Sequence, residues 1–153
     1  MAINSQSLID RLASHAQTTG HFDRVNQHEP KNAPGRGLTC AIWIDRIQPA
    51  RGMSALDKTT ARVTFNVRVY TSMLQNPQDA IDPQVMAAVD VLFEAYSGDF
   101  SLGGEAAWID LMGATQGHPL EAQSGYINID NRVMRVMTIT VPVIVNDAWT
   151  QTA

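Results

Sequence analysis

The sequence predicts an α+β domain in which a mostly antiparallel sheet carries two helices packed on one face, with long hairpin loops. Three observations lead there. Two segments repeat apolar residues at helical spacing, residues 61–71 alternate strictly between apolar and polar, and the strands come in hairpin-joined groups rather than alternating singly with helices. A length of 153 residues fits a single domain over 1–153, and 44% hydrophobic residues suffice for a sizeable core.

The first helix is expected over 4–20. Leu8, Ile9, Leu12, Ala13 and Ala16 fall on one face, Asn4 or Ser5 can cap the start, and Gly20 the end. Residues 20–37 then form a polar connection containing Pro30, Pro34 and Gly35, longer than an ordinary loop. A strand over 38–47 puts Cys40, Ile42 and Ile44 on one face and Ala41, Trp43 and Asp45 on the other. Residues 48–60 make a long hairpin tip, and in 61–71 Val63, Phe65, Val67 and Val69 alternate with Arg62, Thr64, Asn66 and Arg68.

The second helix is expected over 82–96, with Asp82 as N-cap, Pro83 at the first helical position and Gly98 near its end. Val85, Met86, Val89, Leu92, Phe93 and Tyr96 form its apolar stripe. A short strand over 106–112 follows. The last hairpin joins 126–129 to 132–145 around Asp130 and Asn131, residues that tolerate turn geometry.

Composition excludes several functions. A net charge of -4 argues against holding nucleic acid by phosphate neutralisation. The single Cys40 excludes an internal disulfide and a cysteine-based zinc site. No stretch is long and apolar enough to span a membrane and the first ten residues lack a signal pattern, so the chain is expected in the cytoplasm when made.

Charged residues make up only 17%, with 9 Arg against 2 Lys and 11 Asp against 4 Glu. Protein interfaces are depleted in Lys and Glu and keep Arg, which suggests an assembly subunit; biased codon usage gives the same pattern.

The chemistry-bearing residues form no familiar set. His15, His21, His28 and His118 lack zincin spacing, and Ser97-Gly98 and Ser124-Gly125 lack the flanking glycine of a nucleophile elbow. The segment 32–37 lacks the ending of a phosphate-binding loop. Asp79 and Asp82 read as helix-start residues, and Cys40 as an inert strand thiol. No catalytic, cofactor or metal residues are therefore expected, and the chain is not expected to be an enzyme. Trp43, Trp108 and Trp149 can serve core packing or subunit contact.

Particular phrases carry further information: His28-Glu29-Pro30-Lys31-Asn32-Ala33-Pro34-Gly35, Ala41-Ile42-Trp43-Ile44-Asp45, Phe65-Asn66-Val67-Arg68-Val69-Tyr70, Ala95-Tyr96-Ser97-Gly98-Asp99-Phe100, and Met137-Thr138-Ile139-Thr140-Val141-Pro142 with Val145-Asn146-Asp147. In order and wording they resemble the tail terminator proteins of long-tailed, non-contractile bacteriophages, over about residues 8–149. The resemblance implies a virion protein of the tail and neck, a homo-hexameric ring that ends polymerisation of the tail tube protein and joins the tail to the head connector. It implies no catalytic residues and no cofactor. DNA would pass through the ring without specific binding, and an acidic subunit suits that role.

Loop length and apolar content make Arg51, Met53 and Leu56 interface candidates, with Trp43 and Trp149 beside them. Two alternatives stand. One is another neck or tail-tube component of the same particle; the other is a small ligand-binding or hydrolase domain using His28, Glu29 and Asp23.

Overall fold

The computed structural model describes residues 3–35, 37–50, 57–74, 77–114 and 117–152. Helix α1 (Ser5–Thr18) starts where expected, with the Asn4 side chain accepting from the Ser7 N–H at 3.2 Å. It stops at Thr18, and Gly20 takes the left-handed conformation just beyond, with φ 73°.

The long connection after α1 contains a strand that the sequence reading missed. Strand β1 (Arg24–Asn26) lies parallel to β2 (Leu38–Pro49), with Val25 opposite Cys40. Three residues among turn formers give too short a pattern to read. Strand β3 (Lys58–Ser72) is antiparallel to β2, and the ladder reaches Pro49↔Ala61. The hairpin tip is therefore shorter than the expected 48–60.

A 3₁₀ turn (Gln78–Ala80) leads into α2 (Ile81–Gly98), which corrects two expectations. Ala80, without a side-chain cap, takes the N-cap position, and the Asp82 carboxylate instead accepts from Arg135 Nε at 2.9 Å. Pro83 falls at the third helical position, still within the turn whose N–H groups lack intrahelical partners. The buried stripe runs Ile81, Val85, Ala88, Val89, Leu92 and Tyr96. Met86 lies about 100° round from Val85 and is 61% exposed rather than core.

The strand expected over 106–112 shrinks to β4 (Trp108–Ile109). Asp110 ends it, because its carboxylate engages Arg62 and the Ala114 N–H, and Gly113 then turns with φ 75°. Strand β5 (Glu121–Ile129) starts five residues before the expected 126, its polar first half giving no apolar alternation. At the tip Asp130 and Asn131 have φ 50° and 61°, the signature of a type I′ hairpin turn. Strand β6 (Arg132–Thr150) outruns its expected end at 145, past an irregularity opposite Thr59–Ala61 that includes Asp147 at φ 52°.

The sheet order is β1-β2-β3-β6, with β4 and β5 both pairing the far side of β6; only β1–β2 is parallel. Leu8, Leu12, Ala13 and Ala16 of α1 and the stripe of α2 share one core with Cys40, Ile42, Val63, Phe65, Val67, Val69, Ile139, Val141 and Val143. Both helices therefore lie on one face of an antiparallel sheet, the expected α+β build. On the other face Ala41, Tyr70, Met134 and Val136 form a smaller cluster. The connection after α1 reaches that side, where the Ala33 N–H donates to Asp130 Oδ2 at 3.0 Å.

A polar clasp fixes α1 against the end of α2. Asp99 accepts from Arg11 Nε at 2.8 Å and from the Gly103 N–H at 2.9 Å, and lies 2.7 Å from His15 Nε2. The Tyr96 hydroxyl donates to the Leu12 carbonyl at 3.2 Å. Burial pushes the Asp99 carboxyl up, but the His15, Arg11 and Gly103 hydrogen bonds outweigh it and hold the group at about 2 rather than 3.8. A carboxylate depressed in the folded state stabilises it above the unfolded pKa, and that stabilisation disappears as pH falls from about 4 to 2. Asp99→Asn is expected to cost on the order of 1–2 kcal/mol at pH 7 and to flatten the acid limb of a melting-temperature profile across that window.

Candidate interaction surface

The distal half of β2 has an exposed row that the sequence reading did not single out. Register places Ile44 opposite Phe65 and Ile47 opposite Val63, so both point to the helix-bearing side. They are nevertheless 40% and 46% exposed, whereas Phe65 and Val63 are fully buried. The helices leave this end of β2 uncovered. Ile44 continues the alternation of Cys40 and Ile42, whereas Ile47 comes to that face only through the register shift between Ile44 and Arg46, which nothing in the sequence marked.

Trp149, an interface candidate, lies at the same end of the sheet, opposite Thr59 and 38% exposed. The Ile44 row and the Trp149 row are six residue steps apart along β3, from Phe65 to Thr59, or about 20 Å. The remaining end candidates, Arg51, Met53 and Leu56, lie outside the described residues. Trp43 belongs elsewhere: it is half-buried on the opposite face, against the Ala41, Tyr70, Met134 and Val136 cluster. The Arg68 guanidinium sits 5.1 Å from the Trp43 ring centre, and its Nε donates to Thr138 Oγ1 at 2.8 Å. That stack gives Trp43 a packing role on the outer face.

The outer face also holds a trough of about 890 Å³ bordered by Arg46, Thr64, His118, Glu121, Gln123 and Thr140. Beneath it Arg62 and Asp110, each 2% exposed, form an ion pair with Nη1–Oδ2 at 2.6 Å. Arg62 Nη2 also donates to the His118 carbonyl, and Asp110 Oδ1 accepts the Ala114 N–H at 2.8 Å. The pair ties the segment after β4 to β3. Gly117 makes this possible, because a Cβ there would collide with the Arg62 guanidinium. Gly117→Ala is expected to displace the pinned guanidinium and cost about 1–3 kcal/mol, read as a lower urea midpoint.

The groups considered for chemistry do not converge. His28, Glu29 and Asp23 are all exposed. His118 Nδ1 lies 3.0 Å from Glu121 Oε1 on the surface. Cys40 is fully buried, and burial pushes its thiol up to about 12. Among the described residues no three His, Cys, Asp or Glu side chains gather as a metal-ligand set. No helix among the described residues is long and apolar enough to cross a membrane.

No protein-family model matches the chain, and no curated protein matches it. Among solved structures, it is similar to the sheath/tube terminator of an extracellular contractile injection system, PVC, determined by cryo-EM in the extended state. The identity is 11% and the TM-score 0.41; the match covers 100% of this chain and 60% of that one. The chain thus spans about 60% of that terminator's length.

Proposed function

We propose that this chain is a structural virion protein: a tail terminator of a long-tailed, non-contractile phage, acting without catalysis or cofactor. Six copies close into a ring on the head-proximal end of the tail tube. The ring ends addition of the tube protein and offers its far side to the head-tail connector, and DNA passes through without specific binding. The observation that carries this reading is the uncovered sheet end, where Ile44, Ile47 and Trp149 stay exposed although Val63 and Phe65, opposite Ile47 and Ile44, are fully buried. Apolar side chains left out of a well-packed core are what a subunit contributes to its neighbours. The quoted sequence phrases supply the kind of assembly, and the shortage of Lys and Glu agrees with a surface largely covered in the particle.

Ring closure needs head-to-tail contacts between two different patches of each subunit, whereas a rotation that fails to close yields a filament. Light scattering on the purified chain tests the difference. A species that stays monomeric or stops at a hexamer, and that halts growth of tube protein in a mixture, is the expected result. Open-ended growth of the chain alone would identify a tube component instead.

A further inference from the structure

Two strand edges on opposite sides of the sheet have no strand partner among the described residues. β1 pairs only Thr39–Ala41 of β2, which leaves the outer edge of residues 42–49 open. At the other side β5 pairs β6 along its whole length, and its second edge is open. Natural sheets blunt open edges with Lys, Pro, bulges or short strands. β2 carries a bulge at Asp45 and a proline at Pro49. β5 has neither: nine residues run in unbroken register without Lys, Arg or Pro. An unprotected edge of that length calls for a cover.

The hairpin geometry says which groups it offers. In a two-residue type I′ hairpin the residues flanking the turn, Ile129 and Arg132, bond to each other, and bonded pairs then recur at every second residue. The N–H and C=O groups of Ala122, Ser124, Tyr126 and Asn128 therefore point outward.

We propose that the β5 edge is an assembly edge, taken up in antiparallel pairing by the open half of β2 in a second copy of this chain. Strand sense supports that occupant. β2 and β6 run one way and β3 and β5 the other, so a rotation that carries one subunit onto the next brings β5 against an oppositely directed β2. The side chains agree as well. Tyr126 lies opposite Arg135 on the helix-bearing side and is 61% exposed, and the neighbour's Ile44 and Ile47 emerge on that same side.

The registers place Ile42, Val67, Ile139 and Ala122 in one row, with the two open stretches on either side of it. Their meeting requires strands inclined to the ring axis, as the shear of closed barrels provides. Two different edges per copy make the contact heterologous, so it rests on the ring reading above and gives that ring its backbone seam.

Ser124→Pro tests the seam, because it removes an outward N–H and leaves the β6 ladder intact. The variant is expected to keep the wild-type circular dichroism while the hexamer fraction in light scattering falls at least tenfold. As a second measurement independent of that fold, a copy with Ile44→Cys is mixed with one carrying Tyr126→Cys, Cys40 being too buried to compete. Oxidation is expected to link the two kinds of copy. Normal hexamers from folded Ser124→Pro, or hexamers that form no such link, would overturn the seam while leaving the ring standing. A wild-type chain that never forms hexamers, even on tubes, would instead remove the ring itself.

Discussion

Arg62→Met is expected to lower the unfolding free energy by about 3–5 kcal/mol, measured by urea denaturation. The reason is desolvation. Asp110 is 2% exposed, and without the guanidinium at 2.6 Å it must either stay charged in a poorly solvated site or take up a proton. The segment after β4 also loses the Arg62 bond to the His118 carbonyl, so the border of the outer-face trough should loosen. The double variant Arg62→Met, Asp110→Leu removes both charges and is expected to recover much of the loss, since apolar pairs of similar volume often replace buried ion pairs at little cost. A double variant as unstable as the single one would show that geometry, rather than the unpaired charge, dominates.

Ile44→Asp with Ile47→Asp is expected to leave the monomer nearly as stable as the parent and to abolish assembly. Both side chains are at least 40% exposed, and substitutions at such positions usually change folding free energy by under about 1 kcal/mol. In the proposed ring the same residues would be buried against a neighbour. A charge there loses about 2 kcal/mol or more per contact, or roughly thirtyfold in affinity, and the loss repeats at every subunit boundary. Light scattering of mixtures with tube protein should find the variant unassembled where the parent, on the proposed reading, forms its ring, and electron microscopy should find uncapped tubes.

Much of the fold was legible because burial on one side of a sheet writes a period of two into the sequence. Val63 to Val69 and Val141 to Val145 display it clearly, and α1 displays its own spacing through Leu8, Leu12 and Ala16. The failures have local causes. β1 is too short to show a period, the first half of β5 has Ala122 as its only apolar side chain toward the core, and Met86 sits beside the true stripe because helical rotation separates it from Val85. Asp82 and its cap illustrate another limit: a carboxylate near a helix start can equally pair with an arginine 53 residues away, and only the tertiary fold decides.

The candidate surface was legible only in part. Trp149 lies within β6 rather than after the last strand, and Trp43 is drawn into the Arg68 stack on the other face. Ile44 reads as ordinary core alternation, because the sequence does not state where a helical layer stops, and Ile47 joins its face only through the bulge at Asp45. The open edge of β5 left a fainter trace, the absence of Lys and Pro from a polar strand. An absence is easily passed over in a chain with only 2 Lys.

The most direct measurement is electron microscopy of phage particles assembled with this chain deleted. Tails of abnormal and variable length, lacking heads, are the expected result, with uniform length and head attachment restored when the protein is supplied. Tails of normal length joined to heads in its absence would contradict the terminator reading.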